Sequence, residues 1–299
     1  MNWLTHVPGG FDGLLSLLAV TEAAPTPTPD LVSASIQAIV LGIVQGITEF
    51  LPISSTAHLL IVRDVFGWTQ EKYFVDAIQF GSVIAVVWYF WADLRQIISG
   101  SWLAFRQKDW QREEWKILVG IAIGTIPALT IGFVFKDAIP ESPLVIAIAS
   151  IIMSLLLGLA EKMGTRKRDF NDLQVKDGLL VGLGQTLALV PGVSRSGSTL
   201  TTALFLGLQR QTAARFSFLL GIPTLTIATL YQSTKALRNI DSFIPLIVGI
   251  IATLIFSYLS IAWLLKFLQR QSTWVFVWYR LGFGAMILGA IAAGWNPAS

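Results

Sequence analysis

The chain has 299 residues, of which 54% are hydrophobic and only 13% are charged, with a formal net charge of +3. A soluble domain carries about a quarter charged residues, so this composition excludes a soluble globular protein and predicts an integral membrane protein. The small net charge argues against nucleic acid as a partner, and the absence of cysteine from the sequence excludes disulfides and thiolate metal sites.

Residues 1–33 predict an N-terminal extension and linker ahead of the membrane domain. They contain one short apolar run, 11–20, and then the proline-rich segment 24–30, which is typical of a stiff extended linker. The extension contains neither Lys nor Arg, whereas a signal peptide begins with a basic region. We therefore expect a peripheral extension lying on the membrane, with cleavage as the alternative, and an integral membrane domain over 34–299.

Hydropathy divides the rest of the chain into spans and broken segments. A helix needs about 20 apolar residues to cross the hydrocarbon. The stretches that meet this length are 73–92, 116–135, 143–161, 213–234, 243–267 and 275–295. The segments 34–67 and 177–208 each hold two shorter helical pieces separated by Pro, Gly and a serine-rich turn. Irregular backbone survives at membrane depth only inside protein or beside a water-filled cavity. The expected fold is therefore an all-α polytopic membrane protein with six transmembrane helices and two re-entrant helical hairpins.

The two broken segments resemble each other, which predicts an internal repeat. When 42–58 is aligned with 182–198 without a gap, a glycine, a glutamine and a serine of the first segment each face a residue of the same type in the second. The repeat halves run over about 34–161 and 177–295. Matching broken helices in two halves of a membrane protein are typical of a binding site where the halves meet.

The basic residues of the loops predict how the chain is oriented. Fourteen Lys and Arg residues lie in the loops 93–116, 162–176, 209–215 and 266–274, and only five lie in the opposite loops. Loops rich in Lys and Arg stay in the cytoplasm. Both termini are then outside, and the first hairpin enters from outside while the second enters from the cytoplasm. The repeats are therefore inverted, and their tips meet near the midplane.

Polar side chains crowd the tip of the first hairpin. Gln45 and Glu49 are four residues apart and share a helix face, and Ser55 and His58 share a face of the returning helix. A carboxylate and an imidazole are expensive at membrane depth and indicate a functional site. The turn adds three hydroxyls, those of Ser54, Ser55 and Thr56. Each hydroxyl either serves this site or satisfies a backbone carbonyl.

The tip of the second hairpin predicts an anion site. Gly192 frees the backbone, and Arg195 offers a planar cation suited to bidentate phosphate contact. The helix that follows presents unpaired N–H groups at its start. The hydroxyls that add donors are those of Ser194, Ser196 and Ser198. The alternative is that Arg195 serves as a structural ion-pair partner of Glu49.

Together the two tips predict a site for a diphosphate and a divalent metal. The metal would be a hard, oxygen-preferring ion, Mg²⁺ or Ca²⁺, held by few protein ligands and by the phosphates themselves. The competing interpretation is a transporter or flippase of a lipid-linked phosphate, because inverted repeats with broken helices are also transporter architecture.

These motifs resemble those of the undecaprenyl-diphosphatase family of bacterial membranes, the BacA/UppP type linked to bacitracin resistance. The family's (E/Q)-x-x-x-E motif is matched by 45–49, its P-x-S-S-T-x-H motif by 52–58, and its P-G-x-S-R-S-x-x-T motif by 191–199. The resemblance covers about 34–295 and says nothing of the extension. At its first acidic position the family also accepts glutamate, where this chain has Gln45. The resemblance implies that Gln45 ligates the metal with Glu49, because an amide can bind a metal but cannot take a proton.

The resemblance implies an inverted-repeat fold that hydrolyses undecaprenyl diphosphate to undecaprenyl phosphate, recycling the lipid carrier of peptidoglycan synthesis. It implies a metal-dependent site in the bacterial cell (inner) membrane that opens away from the cytoplasm. Glu49 would assist metal binding or catalysis, and Arg195 would grip the diphosphate. The expected partners are the polyprenyl diphosphate and membrane lipid, and formation of a homodimer stays open.

The nucleophile also stays open between His58, Ser55 and water. The i, i+3 spacing lets the imidazole of His58 approach the hydroxyl of Ser55, which would activate a weak nucleophile. We favour His58 as the chemically active residue, because an imidazole changes charge near neutral pH and a hydroxyl does not.

Overall fold

The computed structural model describes residues 30–68, 72–135, 142–236 and 243–295. Within these ranges the regular structure is helical, apart from one isolated backbone bridge between Arg168 and Leu208. Most of the expected extension, residues 1–29, lies outside the described residues. Asp30 caps the first helix, since its carboxylate accepts from the Ser33 amide at 2.6 Å. The helical part therefore begins at Leu31, ahead of the expected boundary at 34.

The helices follow one another through short connections. They are α1 (Leu31–Phe50), α2 (Ser55–Val65), α3 (Lys72–Ile78), α4 (Phe80–Tyr89), α5 (Trp91–Gln107), α6 (Glu113–Phe135), α7 (Pro143–Met163), α8 (Val175–Thr186), α9 (Arg195–Phe205), α10 (Arg210–Ala236), α11 (Phe243–Leu268) and α12 (Trp274–Ala292). A 3₁₀ turn, Leu187–Leu189, extends α8. The two segments that the sequence predicts to be broken therefore correspond to two helix pairs, α1 with α2 and α8 with α9.

Six helices of the described ranges are long and apolar enough to cross a membrane, namely α1, α6, α7, α10, α11 and α12. Five of them coincide with predicted spans. The sixth predicted span, 73–92, is not one continuous helix, because the chain breaks near Gln79 and Phe90 and bends by 63° between Phe74–Tyr89 and Trp91–Gln107. The apolar run ends there, and α5 carries charged residues among its aromatic ones.

The sixth candidate span is α1, which was expected to be half of a hairpin and too short to cross alone. It has 20 residues and enough hydropathy to span. The helix is longer than predicted because the Asp30 cap starts it before residue 34. By length and composition, α1 is therefore equivalent to the other candidate spans.

Glycines set how closely the helices cross. A Cβ on Gly42 would lie 2.5 Å from the Gly249 carbonyl oxygen of α11, and a Cβ on Gly182 would collide with the backbone of Gly124 in α6. Gly42 and Gly182 occupy equivalent positions in the internal repeat. Each broken segment thus packs on a long helix of the opposite half, α1 on α11 and α8 on α6. Such small residues let membrane helices approach backbone to backbone.

The same unusual backbone recurs at both turns. Ser54 has φ 75° and Ser194 has φ 72°, in a region that residues with side chains rarely adopt. The helices that follow, α2 and α9, both have 11 residues. Strain of this kind costs about 1–3 kcal/mol per residue and persists where the surroundings hold it, often at functional sites. The repeat seen in the sequence therefore extends to the conformation of the two turns.

Carboxylates tie down two of the basic loops. Glu161 at the end of α7 accepts hydrogen bonds from Arg166, Arg210 and Thr273. Asp177 in the first turn of α8 pairs with Arg168 at 2.5 Å, and this contact raises the pKa of the guanidinium. Part of the positive charge used to orient the chain is therefore already neutralised within the protein.

We predict that Gly182→Ala lowers the unfolding midpoint of the detergent-solubilised protein, whereas Gly289→Ala does not. The added methyl group at 182 meets backbone that can retreat only if α8 and α6 separate, and overpacking of this kind costs about 1–3 kcal/mol. Nothing lies within 4 Å of a Cβ at Gly289, which makes it a matched control in α12. Alanine there favours the helix by up to about 1 kcal/mol. Equal midpoints for the two variants would contradict the close crossing.

Candidate active site

The turns that follow α1 and α8 lie against each other. Ser196 donates its hydroxyl proton to the Leu51 carbonyl at 2.9 Å. Arg195 pairs with Glu49 across 3.0 Å between Nη2 and Oε1. The two tips therefore meet, as predicted, and each half of the chain contributes one charge to the junction.

Glu49 is the centre of this polar cluster. Its Oε2 accepts from the Ser55 hydroxyl at 2.8 Å and from Gln45 Nε2 at 3.1 Å, while its Oε1 accepts from Arg195. The residue is 8% exposed, so the carboxylate needs both an opposite charge and hydrogen-bond donors. The three neighbours supply them. Ser55 is thereby placed within hydrogen-bond reach of a carboxylate that can take its proton.

Arg195 is held from two sides. Besides its pairing with Glu49, its Nη1 donates to the Gly221 carbonyl at 3.0 Å. A Cβ at Gly221 would collide with that nitrogen, so glycine leaves the space that the guanidinium occupies. The ion pair considered as an alternative is therefore present. The guanidinium has further N–H groups beyond these two bonds, and they give it donors for an anion.

His58 has partners other than the one that its spacing predicted. Its Nδ1 lies 2.7 Å from the Ser54 carbonyl oxygen, and its Nε2 lies 2.6 Å from the Tyr279 hydroxyl. A carbonyl only accepts, so Nδ1 carries a proton directed at the turn. The expected approach of the imidazole to Ser55 is wrong, because both ring nitrogens have other partners. His58 instead braces the positive-φ turn from which Ser55 projects, and Tyr279, which sequence analysis did not single out, covers its second nitrogen.

Two of the hydroxyls predicted to bind an anion are used within α9 itself. Ser194 accepts from the Gly197 amide at 3.2 Å and so caps the helix. Ser198 is buried and donates to the Arg195 carbonyl at 3.0 Å. These serines therefore satisfy backbone groups of α9.

The start of α2 differs from the start of α9. Ser54 is buried in the N-cap position but makes no side-chain capping bond, so the first amides of α2 keep their donors. Thr56 in the first turn is exposed. Gly192 has φ 93°, and a Cβ there would lie 2.5 Å from the Ile146 carbonyl oxygen, so its glycine is needed for packing. The open, anion-attracting helix start beside Glu49 is thus that of α2 rather than α9.

Sequence analysis missed Arg280, a fully buried arginine in α12. It is 1% exposed and donates to the carbonyls of Pro52 at 2.9 Å, Gly192 at 2.8 Å and Ser150 at 3.3 Å. One guanidinium therefore ties together a turn carbonyl from each half. A signal existed, since a charged residue inside the apolar run 275–295 is expected to have polar partners.

Comparison with known proteins places the chain in a family. Residues 38–286 match the family described as Bacitracin resistance protein BacA. A protein of Thermosynechococcus vestitus named undecaprenyl-diphosphatase is 59% identical over 87% of this chain and 96% of its own length. Proteins of the same name from Trichormus variabilis and Trichodesmium erythraeum are 56% and 48% identical, over 87% and 91% of this chain and 84% and 91% of their own lengths. The chain belongs to the BacA family.

We predict that Arg280→Lys lowers the unfolding midpoint more than Arg270→Lys does. An ammonium is a compact point charge that cannot reproduce the fork by which Arg280 serves three carbonyls. At least one buried carbonyl loses its donor, at about 1–3 kcal/mol. Arg270 is exposed and lies just after α11, so Arg270→Lys measures the effect of exchanging the side chain without the loss of buried hydrogen bonds. Matching midpoints would show that the bridge between the two turns adds nothing to stability.

Proposed function

We propose that this chain, as a member of the bacitracin resistance protein BacA family, is an undecaprenyl-diphosphatase. It is a membrane hydrolase that converts undecaprenyl diphosphate into undecaprenyl phosphate, the lipid carrier reused in peptidoglycan synthesis, and it thereby confers bacitracin resistance. The observation that carries this proposal is Glu49, a buried carboxylate that holds the Ser55 hydroxyl on one oxygen and the Arg195 guanidinium on the other. A base, a nucleophile and a phosphate-binding cation thus form one hydrogen-bonded cluster.

The same cluster argues against a transporter of a lipid-linked phosphate. A carrier needs the cation, but a carboxylate beside the phosphate would weaken binding by repulsion between like charges. A hydroxyl hydrogen-bonded to a carboxylate is instead the arrangement that activates a nucleophile. Hydrolysis uses Glu49, Ser55 and Arg195 together, whereas transport needs only Arg195.

The diphosphate is placed by the positive groups of the junction. Its terminal phosphate lies at the start of α2, where the uncapped amides point, and contacts the remaining N–H groups of Arg195. Ser196 donates to Leu51 and so holds the two turns around the phosphate rather than binding it directly. The prenyl chain extends from the junction into the lipid.

In the proposed reaction the Ser55 oxygen attacks the terminal phosphorus while Glu49 takes the hydroxyl proton. The bond between that phosphorus and the bridging oxygen breaks, and undecaprenyl phosphate leaves with the bridging oxygen and its electron pair. Glu49 then passes its proton to the departing undecaprenyl phosphate. Water attacks the phosphoserine and gives a proton to Glu49, and Glu49 returns this proton to the Ser55 oxygen as inorganic phosphate leaves. In an alternative route no phosphoserine forms. Water, deprotonated by Glu49, attacks the terminal phosphorus directly.

The residues at the junction fit a divalent metal that arrives with the diphosphate. No cluster of three or more His, Cys, Asp or Glu side chains that could hold an ion occurs within the described ranges. The donors present are the Glu49 carboxylate and, after rotation of its amide, the Gln45 oxygen, both hard oxygen ligands suited to Mg²⁺ or Ca²⁺. Such an ion would offset phosphate charge and polarise the P–O bonds.

The arrangement in the membrane follows the same proposal. Pairs α1–α2 and α8–α9 are re-entrant hairpins of two inverted halves, supported by the matching turns and by the excess of basic residues in one set of loops. The site then opens away from the cytoplasm in the bacterial inner membrane. A homodimer is compatible with this arrangement, and each copy would hold a complete site.

The function is tested by phosphate release from undecaprenyl diphosphate by the purified protein. We predict that Glu49→Gln lowers turnover by about 10²–10⁴-fold, the usual contribution of a general base. Gln45→Glu should remain active and reach half-maximal turnover at a lower Mg²⁺ concentration, because it adds a second oxygen anion. EDTA should stop the wild-type reaction. Near wild-type turnover in Glu49→Gln, or movement of the lipid without phosphate release, would overturn the assignment.

A second comparison ranks Ser55 and His58. We predict that Ser55→Ala is inactive and that His58→Asn retains more turnover than His58→Ala, since the Asn amide can replace Nδ1 as a donor to the Ser54 carbonyl. If His58 attacks phosphorus or protonates the leaving group, Asn is as poor as Ala. That result, or acid-labile phosphate on His58 in a quenched reaction, would restore the histidine as the chemically active residue.

A further inference from the structure

The bend between α4 and α5 forms an apolar groove away from the polar junction. It is lined by Val83, Ile84, Val87, Trp88 and Trp91, is open to the surroundings and has a volume of about 540 Å³. Ligand sites in proteins typically measure about 300–1,000 Å³, so this groove is large enough for part of a lipid chain. Trp88 is 63% exposed and Trp91 is 56% exposed, although both are large aromatic side chains.

The apolar surface continues from the groove along α5. Trp91, Ile98, Trp102 and Phe105 recur at intervals that place them on one face of the helix, and all four are exposed. The opposite face packs on α6, where Ser101 donates to the Glu114 carbonyl at 2.8 Å. Helix α5 therefore carries an outward aromatic stripe and is turned by 63° from the apolar helix before it. Aromatic residues with this exposure are typical of the layer between lipid tails and water.

Basic side chains border the groove and the stripe. Arg95 lies one helical turn after Trp91, and Arg106 and Lys108 follow at the far end of α5. None of these three basic residues forms an ion pair with the described part of the chain. Of the acidic residues nearby, Asp93 beside Arg95 is already neutralised by Arg215, and Asp109 follows Lys108 at the far end of α5. Positive charge at the mouth of an apolar groove complements a ligand with an anionic head and a hydrocarbon tail.

We infer that the bend between α4 and α5 binds an anionic phospholipid of the bilayer. One acyl chain lies in the groove beside Ile84 and Trp88, and the phosphate contacts Arg95. The aromatic stripe keeps α5 in the headgroup layer, so the lipid is held where the helix turns along the membrane surface. This site is separate from the diphosphate site and makes no contribution to the chemistry.

The absence of cysteine from the sequence allows a direct test, because a single introduced cysteine is the only label site. Full-length Ile84→Cys carries bimane in the groove, and Ile148→Cys on α7 carries it at an equally exposed position elsewhere. Both are reconstituted in phosphatidylcholine vesicles containing brominated phosphatidylglycerol or brominated phosphatidylcholine. At Ile84→Cys we expect bimane quenching to show a preference of about fivefold for phosphatidylglycerol over phosphatidylcholine, because one arginine near an anionic lipid contributes an attraction of that size. At Ile148→Cys we expect no preference.

Charge variants decide whether the preference for phosphatidylglycerol arises from a specific site at Arg95 or from the general positive field of the surface. Arg95→Gln should remove it in the labelled Ile84→Cys protein, Arg95→Lys should keep most of it, and Arg106→Gln, farther along the same helix, should leave it unchanged. Equal quenching at both label positions would overturn the proposal. So would equal losses in Arg95→Gln and Arg106→Gln, which indicate a general surface field, or displacement of the brominated lipid by undecaprenyl phosphate, which assigns the groove to the substrate chain. Phosphate release is measured separately, so failure of the proposed function would not affect this result.

Discussion

A carboxylate buried in a membrane protein remains charged only when an opposite charge and hydrogen-bond donors face it, and this constraint governs how the chain is built. Removing one partner of a buried pair typically costs ~3–5 kcal/mol, because the other charge is left uncompensated. Glu49 comes from α1 and Arg195 from α9, so the pair exists only where the turns of the two halves touch. Glycine crossings bring the helices close enough for that contact, and Arg280 holds the carbonyls of both turns.

The two halves divide the chemistry between two copies of one turn. When 42–58 is aligned with 182–198, Ser55 takes the place of Arg195, and Glu49 takes the place of Leu189. Each turn therefore carries one charged side chain, and the equivalent position in its counterpart is neutral. A symmetric junction would bring two carboxylates together beside a phosphate and would repel it. The difference between the two turns thus gives the junction an acidic side and a basic side.

Sequence alone identified the helical membrane fold and both charges of the junction, because those conclusions rest on local patterns. Glu49 and Arg195 stand out as charged residues within apolar helices. The helix α5 was not predicted, because the charged residues among its aromatic ones indicated a loop over 93–116. The role of Arg280 was missed because its turn carbonyls lie 88 and 228 positions away along the chain, and no spacing rule connects them. The contact between His58 and Tyr279 escaped prediction for the same reason.

The position of Arg280 has a consequence for how the protein is made. A ribosome delivers the chain from its N-terminus, and earlier segments begin to fold first. Both broken segments are therefore in place before α12, whose guanidinium binds their carbonyls and whose tyrosine contacts His58. The junction is completed only when the last helix has been inserted. A nascent or prematurely terminated chain consequently lacks the hydrogen bonds by which Arg280 and Tyr279 hold the two turns.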